Sequence, residues 1–181
     1  MVTLVIINGH SGSGKDTFVE YCRAYNRMTR KMPFFNYHRS DFAKFMLEMM
    51  GWNGYKSPKT RKLLADIVDF GEETGYNLEK LCENVELHKE QIIFYHDRDP
   101  KSIENILNRY YFDNNCNVIT LLVSRQSGEE ITVEKDTWGI ENYTYDVTVE
   151  NSGTIEDLKQ KAAEFMEKIY EAYGGTENGC E

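Results

Sequence analysis

A parallel β-sheet covered by helices on both faces is the α/β architecture this sequence predicts. Three observations carry it. Short apolar, β-branched runs alternate with helix-periodic segments from one end to the other. The first of those runs passes directly into a glycine-rich turn and then into a helical pattern. Only 3 prolines interrupt 181 residues, which favours long regular elements.

The elements follow in order. Val2 to Asn8 reads V-T-L-V-I-I-N, a buried strand entering a turn. Asp16 to about Arg30 carries Phe18, Tyr21, Cys22 and Tyr25 at helical spacing, and Pro33 breaks the pattern. Phe34 to His38 reads as a second strand. Ser40 caps a helix bearing Phe42, Phe45, Met46 and Met49, which Gly51 closes. This Met and Phe stripe, running to Met50, reads as core rather than as a base-binding surface. Tyr37, Trp52 and Tyr55 lie nearby in sequence and leave part of it open to an acceptor pocket.

Ser57-Pro58 is a cap with proline at the first helical position, ahead of Leu63, Leu64, Ile67, Val68 and Phe70. Gly75 separates a further helix with Leu78, Leu81, Cys82 and Val85 inward. Gln91 to Tyr95 is a compact strand, and Asp99-Pro100 starts a helix with Ile103, Ile106, Leu107 and Tyr110. Val118 to Val123 is another clear strand. The polar stretch 124–138 reads as a loop, and Tyr145 to Val149 as a short strand. Thr154 with Asp157 forms a capping-box pattern before a last helix facing inward with Leu158, Ala162, Phe165, Met166, Ile169 and Tyr173. The end from Gly174 to Glu181 reads as frayed. The whole is expected to be one domain, 1–181, with the consecutive helices of about 40–88 as an insertion.

Composition sets limits. Lys and Arg total 21 against 30 Asp and Glu, a net charge of −9. That surface repels polyanions on average and argues against general nucleic-acid binding, while leaving room for a local basic pocket. No apolar run approaches the roughly 20 residues that span a bilayer, so no membrane association is expected. The strand-like start lacks a signal-peptide pattern. Cys22, Cys82, Cys116 and Cys180 are widely spaced with no C-x-x-C pair, which points to reduced thiols in a cytoplasmic setting rather than zinc or disulfides.

The strongest local signal is Gly9-His10-Ser11-Gly12-Ser13-Gly14-Lys15-Asp16-Thr17. It matches G-x-x-x-x-G-K between a strand and a helix, the phosphate-binding P-loop. The glycines let the backbone turn tightly and aim amides at one phosphate chain. The helix start adds its positive end. Lys15 places an ammonium against β- and γ-phosphates, and ATP is the expected cofactor. Asp16 stands where Ser or Thr normally serves Mg²⁺. Its carboxylate could hold the metal directly or through water, or could serve only the helix dipole. With this loop, the fold class sharpens to a three-layer α/β/α sandwich of the P-loop nucleoside-triphosphate-hydrolase kind.

G-x-x-G-S-G-K-D-T resembles the loop of phage deoxynucleoside monophosphate kinases, which, with the related phosphomevalonate kinases, also place Asp after the lysine. The resemblance extends over most of the chain. Ser40-Asp41-Phe42-Ala43-Lys44 looks like the family's first substrate-side helix, and Lys59-Thr60-Arg61-Lys62-Leu63-Leu64 like its next helix start. Asp97-Arg98-Asp99-Pro100 resembles the turn after its third strand, Val123-Ser124-Arg125 the opening of its lid, and Tyr145 to Leu158 its closing strand, turn and helix. The resemblance implies phosphoryl transfer from ATP to a nucleoside monophosphate, deoxynucleotides being favoured, with a short lid at about 124–138.

Phosphoryl transfer needs two substrates in line and positive charge on the moving group. The arginines expected beyond strand ends are present. Arg125 is the lid candidate, against a solvent-exposed loop residue. Arg98 could hold the acceptor phosphate or simply pair with Asp97 or Asp99. Arg61 could meet the same phosphate or belong to a charged helix face, and Arg39 is the weakest of the four. Asp41 could contact the acceptor sugar or base. Asp97, ending an apolar strand, sits where a second metal-linked carboxylate is expected, or serves a turn. Asp99 reads as the cap before Pro100. His38, His88 and His96 share no ligand spacing and read as structural or surface residues. Other acceptors, such as phosphomevalonate or a modified nucleotide, and a binding module without turnover stay open. So does a homodimer. The absence of Asn-Lys-x-Asp weighs against a GTPase.

Overall fold

In a computed structural model, residues 1–87, 90–125, 140 and 143–174 are described. Among them the chain forms β1 (Val2–Asn8), α1 (Lys15–Met28), β2 (Phe34–His38), α2 (Asp41–Met49), α3 (Pro58–Glu73), α4 (Tyr76–Glu86), β3 (Ile92–His96), α5 (Pro100–Tyr110), β4 (Cys116–Ser124), β5 (Val147–Glu150) and α6 (Ile155–Gly174). The strands make one parallel sheet in the order β2-β3-β1-β4-β5. The expected α/β class is therefore the observed one.

Every residue of β1 is buried, as a central strand of a parallel sheet requires. Alternate side chains go to opposite faces. Val5 and Ile7 join Phe18, Val19 and Cys22 of α1 and Leu158, Ala162, Phe165 and Met166 of α6. Leu4 and Ile6 join Leu81 and Val85 of α4 and Ile103, Ile106 and Tyr110 of α5. These are the two outer layers. Between them all five strands end at the same edge, where β1 runs into the glycine-rich loop.

Caps settle several boundaries. Ser57 Oγ accepts from Thr60 N at 3.2 Å ahead of Pro58, and Asp99 Oδ1 accepts from Lys101 N at 3.0 Å ahead of Pro100. At α6, Thr154 N donates to Asp157 Oδ2 (2.7 Å) while Asp157 N donates to Thr154 Oγ1 (3.2 Å). Ser40 occupies the N-cap of α2 but makes no side-chain cap bond. Helix α1 stops at Met28, earlier than its apolar spacing suggests. Lys31 is left-handed (φ 53°) and sends its N–H back to Asn26 O at 2.7 Å.

Two expectations are corrected. The last strand begins at Val147, not Tyr145. Tyr145 and Asp146 are spent on side-chain bonds: Tyr145 OH accepts from Asn8 Nδ2 at 2.7 Å, and Asp146 Oδ2 accepts from Thr120 N at 2.8 Å. The Met and Phe stripe of α2 is not core. Only Ala43 and Leu47 are buried there, against Leu64, Trp52, Ile67 and Val68, while Phe45 is 55% and Met49 73% exposed. Leu63 and Phe70 of α3 are exposed as well. The insertion is thin, so each of its helices has one apolar face covered and the other in water. No helix among the described residues is long and apolar enough to cross a membrane.

Candidate functional site

The loop after β1 is shaped by its glycines and held from outside. Gly9 has φ 154° and Gly14 has φ 90°. A Cβ on Gly9 would collide with the Val123 carbonyl oxygen, and one on Gly14 with the Asn151 amide, so neither site admits a side chain. Asn8 Oδ1 accepts from Gly9 N at 2.7 Å, and Ser13 N returns to His10 O at 3.1 Å. Asn151, just past β5, donates through Nδ2 to Ser13 O at 2.9 Å. The turn is thereby tied to β1 and to the end of β5 before any ligand arrives.

Lys15 opens α1 and is only 8% exposed; its Nζ donates to His10 O at 3.3 Å. Ser13 Oγ is buried without a hydrogen-bond partner. Ser11, Gly12, Asp16 and Thr17 face solvent. A buried ammonium, a helix N-terminus and loop amides at one strand end form a cradle suited to a chain of phosphates. Asp16 offers a hard oxygen donor on the open side of that cradle, which fits Mg²⁺ held directly or through water.

Around the loop, strands β2 and β3 bring together residues that sequence spacing kept apart. His38 and His96 are register partners, and their rings stack at 3.9 Å. His96 Nε2 lies 2.8 Å from Asn36 Oδ1, and its Nδ1 lies 3.5 Å from Asp16 Oδ1. Burial, with His38 beside it, pulls the His96 pKa down to about 3, and burial lowers that of His38 too. Both rings are thus neutral near pH 7. Pairing of parallel strands, invisible to spacing, makes these two histidines neighbours.

Arg39 gathers carboxylates at this edge. Its guanidinium meets Asp97 Oδ1 at 3.3 Å, Asp99 Oδ2 at 3.4 Å and Glu72 Oε2 of α3 at 3.3 Å. Burial disfavours its charge, but Asp97, Glu72 and Asp99 outweigh that and raise its pKa. Asp97 is fully enclosed. Ser102 Oγ donates to its Oδ2 at 2.6 Å and Asp99 N to its Oδ1 at 3.1 Å. Burial raises the Asp97 pKa against the pull of Arg39. Both oxygens of this carboxylate, expected to serve a second metal or a turn, are thus met by protein groups.

The remaining candidates are spread. Arg98 is half-buried in the turn after β3, and Arg125 is exposed at the end of β4. Arg61 is exposed on α3, with Nε 3.3 Å from Lys56 O. Asp41 Oδ2 accepts from His38 N at 2.7 Å, and its Oδ1 accepts from Lys44 Nζ at 2.7 Å, bonds of a first-turn carboxylate. The lid of about 124–138 lies, beyond Arg125, outside the described residues.

A cleft of about 180 Å³ opens at the base of the insertion, between His38, Arg39, Asp41, Phe42, Tyr76 and Tyr95. It adjoins the Asp16 edge of the loop through His38. A larger hollow of about 510 Å³ is lined by Arg23, Arg27, Lys31 and Phe34. It sits at the far end of α1, ~20 Å of helix from the loop, and plays no part in this site.

No protein-family model and no curated protein sequence matches the chain. Solved structures give distant likenesses. The APS kinase CysC of Mycobacterium tuberculosis, in complex with AMPPNP and APS, has 10% identity and a TM-score of 0.48, covering 91% of this chain and 97% of that one. A gluconokinase from Sinorhizobium meliloti 1021 has 13% identity and a TM-score of 0.47, covering 98% and 97%. Shikimate kinase from Aquifex aeolicus has 15% identity and a TM-score of 0.41, covering 99% and 100%. Likenesses of this degree assign neither an activity nor a substrate.

Proposed function

We propose that the chain is an ATP-dependent phosphotransferase acting on a small phosphorylated acceptor, with a nucleoside monophosphate, deoxynucleotides foremost, as the acceptor and the diphosphate as product. One observation carries this reading: the Gly9–Thr17 cradle, pre-shaped by Asn8 and Asn151, with Lys15 buried at its base. Such pre-organisation places charge before the substrate binds, which is where phosphoryl transfer gains most.

In this reading Gly9, Ser11, Gly12, Ser13, Gly14 and Thr17 hold the triphosphate. Lys15 neutralises charge at the β- and γ-phosphates. Asp16 holds Mg²⁺, which when bound offsets negative charge on the phosphate chain. Arg125 and Arg98 serve the transferring group, Arg98 and Arg61 the acceptor phosphate, and Asp41 the acceptor sugar or base. Asp97 acts through Arg39, fixing the insertion against the strand edge. The cleft beside Phe42 and Tyr76 is small for a whole nucleotide, so the insertion opens to admit the acceptor and closes to exclude water.

The test is a coupled assay with Mg-ATP and a panel of nucleoside monophosphates, together with phosphomevalonate. Diphosphate formation from one panel member supports the reading. ATP binding without turnover on any acceptor replaces it with a binding module. Lys15→Ala is expected to lower kcat/KM at least a hundredfold, about 2.7 kcal/mol of transition-state stabilisation, while circular dichroism stays native. Retained turnover in that variant would reject the assignment of the loop.

A further inference from the structure

The geometry points to a divalent transition-metal site formed by Asp16, His38 and His96 at the shared edge of β2, β3 and the loop. One potential ligand atom from each lies within 4.8 Å of the others. A Zn²⁺ or Co²⁺ ion takes such atoms at about 2.0–2.2 Å, so once His38 has turned a modest inward movement closes the set. Asp16, whose carboxylate is 73% exposed, has the freedom to make it.

A second observation argues for a cation here. His96 is 7% exposed and its Nδ1 is buried without a hydrogen-bond partner. The Asn36 oxygen beside Nε2 holds the proton there and leaves the Nδ1 lone pair bare. That lone pair faces the Asp16 carboxylate, so two electron-rich atoms confront each other across 3.5 Å. A metal ion between them converts repulsion into two bonds. Asn36 is then the outer partner that orients a ligating imidazole.

The donor set selects the class of ion. Two imidazole nitrogens with one carboxylate suit Zn²⁺, Co²⁺ or Ni²⁺, whereas Mg²⁺ and Ca²⁺ prefer all-oxygen surroundings. Three protein ligands leave at least one position open toward the phosphate cradle. A metal lies in the plane of each imidazole it binds, so the cofacial rings cannot both ligate as they stand. His38, half-buried at the end of β2, turns out of the stack while Asn36 keeps His96 in place. Lys15 adds positive charge nearby, which weakens the hold on a cation.

This site does not depend on the kinase reading, and its test uses nucleotide-free protein without a histidine tag. Co²⁺ is titrated and followed by its visible d–d absorption, with Zn²⁺ displacement and calorimetry as checks. One equivalent is expected to bind, to be displaced by Zn²⁺ and to withstand excess Mg²⁺. Asp16→Asn and His38→Ala are each expected to weaken binding at least tenfold with unfolding midpoints recorded to show that both remain folded, while His10→Ala leaves it unchanged. Absence of saturable Co²⁺ and Zn²⁺ binding overturns the proposal. So does equal affinity in both folded variants, loss of binding on His10→Ala alone, or ready displacement by Mg²⁺.

Discussion

Asp157 shows how much a single exposed side chain can do at a helix start. Its carboxylate receives the Thr154 backbone N–H and lies 2.9 Å from the Thr154 hydroxyl oxygen, which bonds the charged form and lowers its pKa below 3.8. The unfolded chain then binds more protons than the folded one as pH falls below that value. Stability from this group is complete above pH 3.8 and is lost as pH drops through the lowered value. Asp157→Asn is therefore expected to be less stable than the parent at neutral pH, with the gap closing in acid. Urea midpoints across an acidic-to-neutral series check this, and a gap independent of pH would show that the charge is not the cause. Lys15 belongs to the opposite class. It is buried at a helix N-terminus, where the proposed function gives its charge a phosphate to meet.

Among the elements, the join between the insertion and the sheet is the telling one. Helix α3 reaches the strand edge through Glu72, and Arg39 ties it to Asp97 and Asp99. The Asp97 side chain is wholly enclosed, so removing its cation strands a buried charge. Arg39→Met is expected to cost roughly 3–5 kcal/mol, and Arg39→Met with Asp97→Asn to recover a substantial part. Chemical denaturation of the two single variants and the double variant measures the coupling. Additive losses would mean that the pair is not coupled. Glu72→Gln, on the rim, is expected to cost much less than Arg39→Met.

At the scale of the whole molecule, stability depends on β3. It lies between β2 and β1, and its Phe94 stacks on Phe34 at 5.1 Å and meets Phe165 of α6 edge-on at 6.2 Å. One ring thus joins the sheet edge to the last helix of the chain. Phe94→Ala is expected to cost roughly 3–5 kcal/mol, since the packed surroundings cannot collapse into the space. Thermal unfolding reads it, and a loss under about 1 kcal/mol would contradict the burial. The same sheet places its strand ends, the glycine-rich loop and the foot of the insertion on one edge, so core packing and the candidate site share a scaffold.

The alternation of strands and helices, the cradle from Gly9 to Thr17 and the caps at Ser57, Asp99 and Thr154 were legible from the chain alone. Each depends on residues close together in sequence, where spacing and capping chemistry act directly. The exposure of Phe45 and Met49 was not legible, because helical periodicity says which face is apolar but not whether a partner covers it. Nor were the Arg39 network and the stack of His38 on His96. Arg39 and Asp97, like His38 and His96, lie 58 positions apart. Their meeting follows from β2 pairing with β3 in parallel register, a choice made by packing between distant segments.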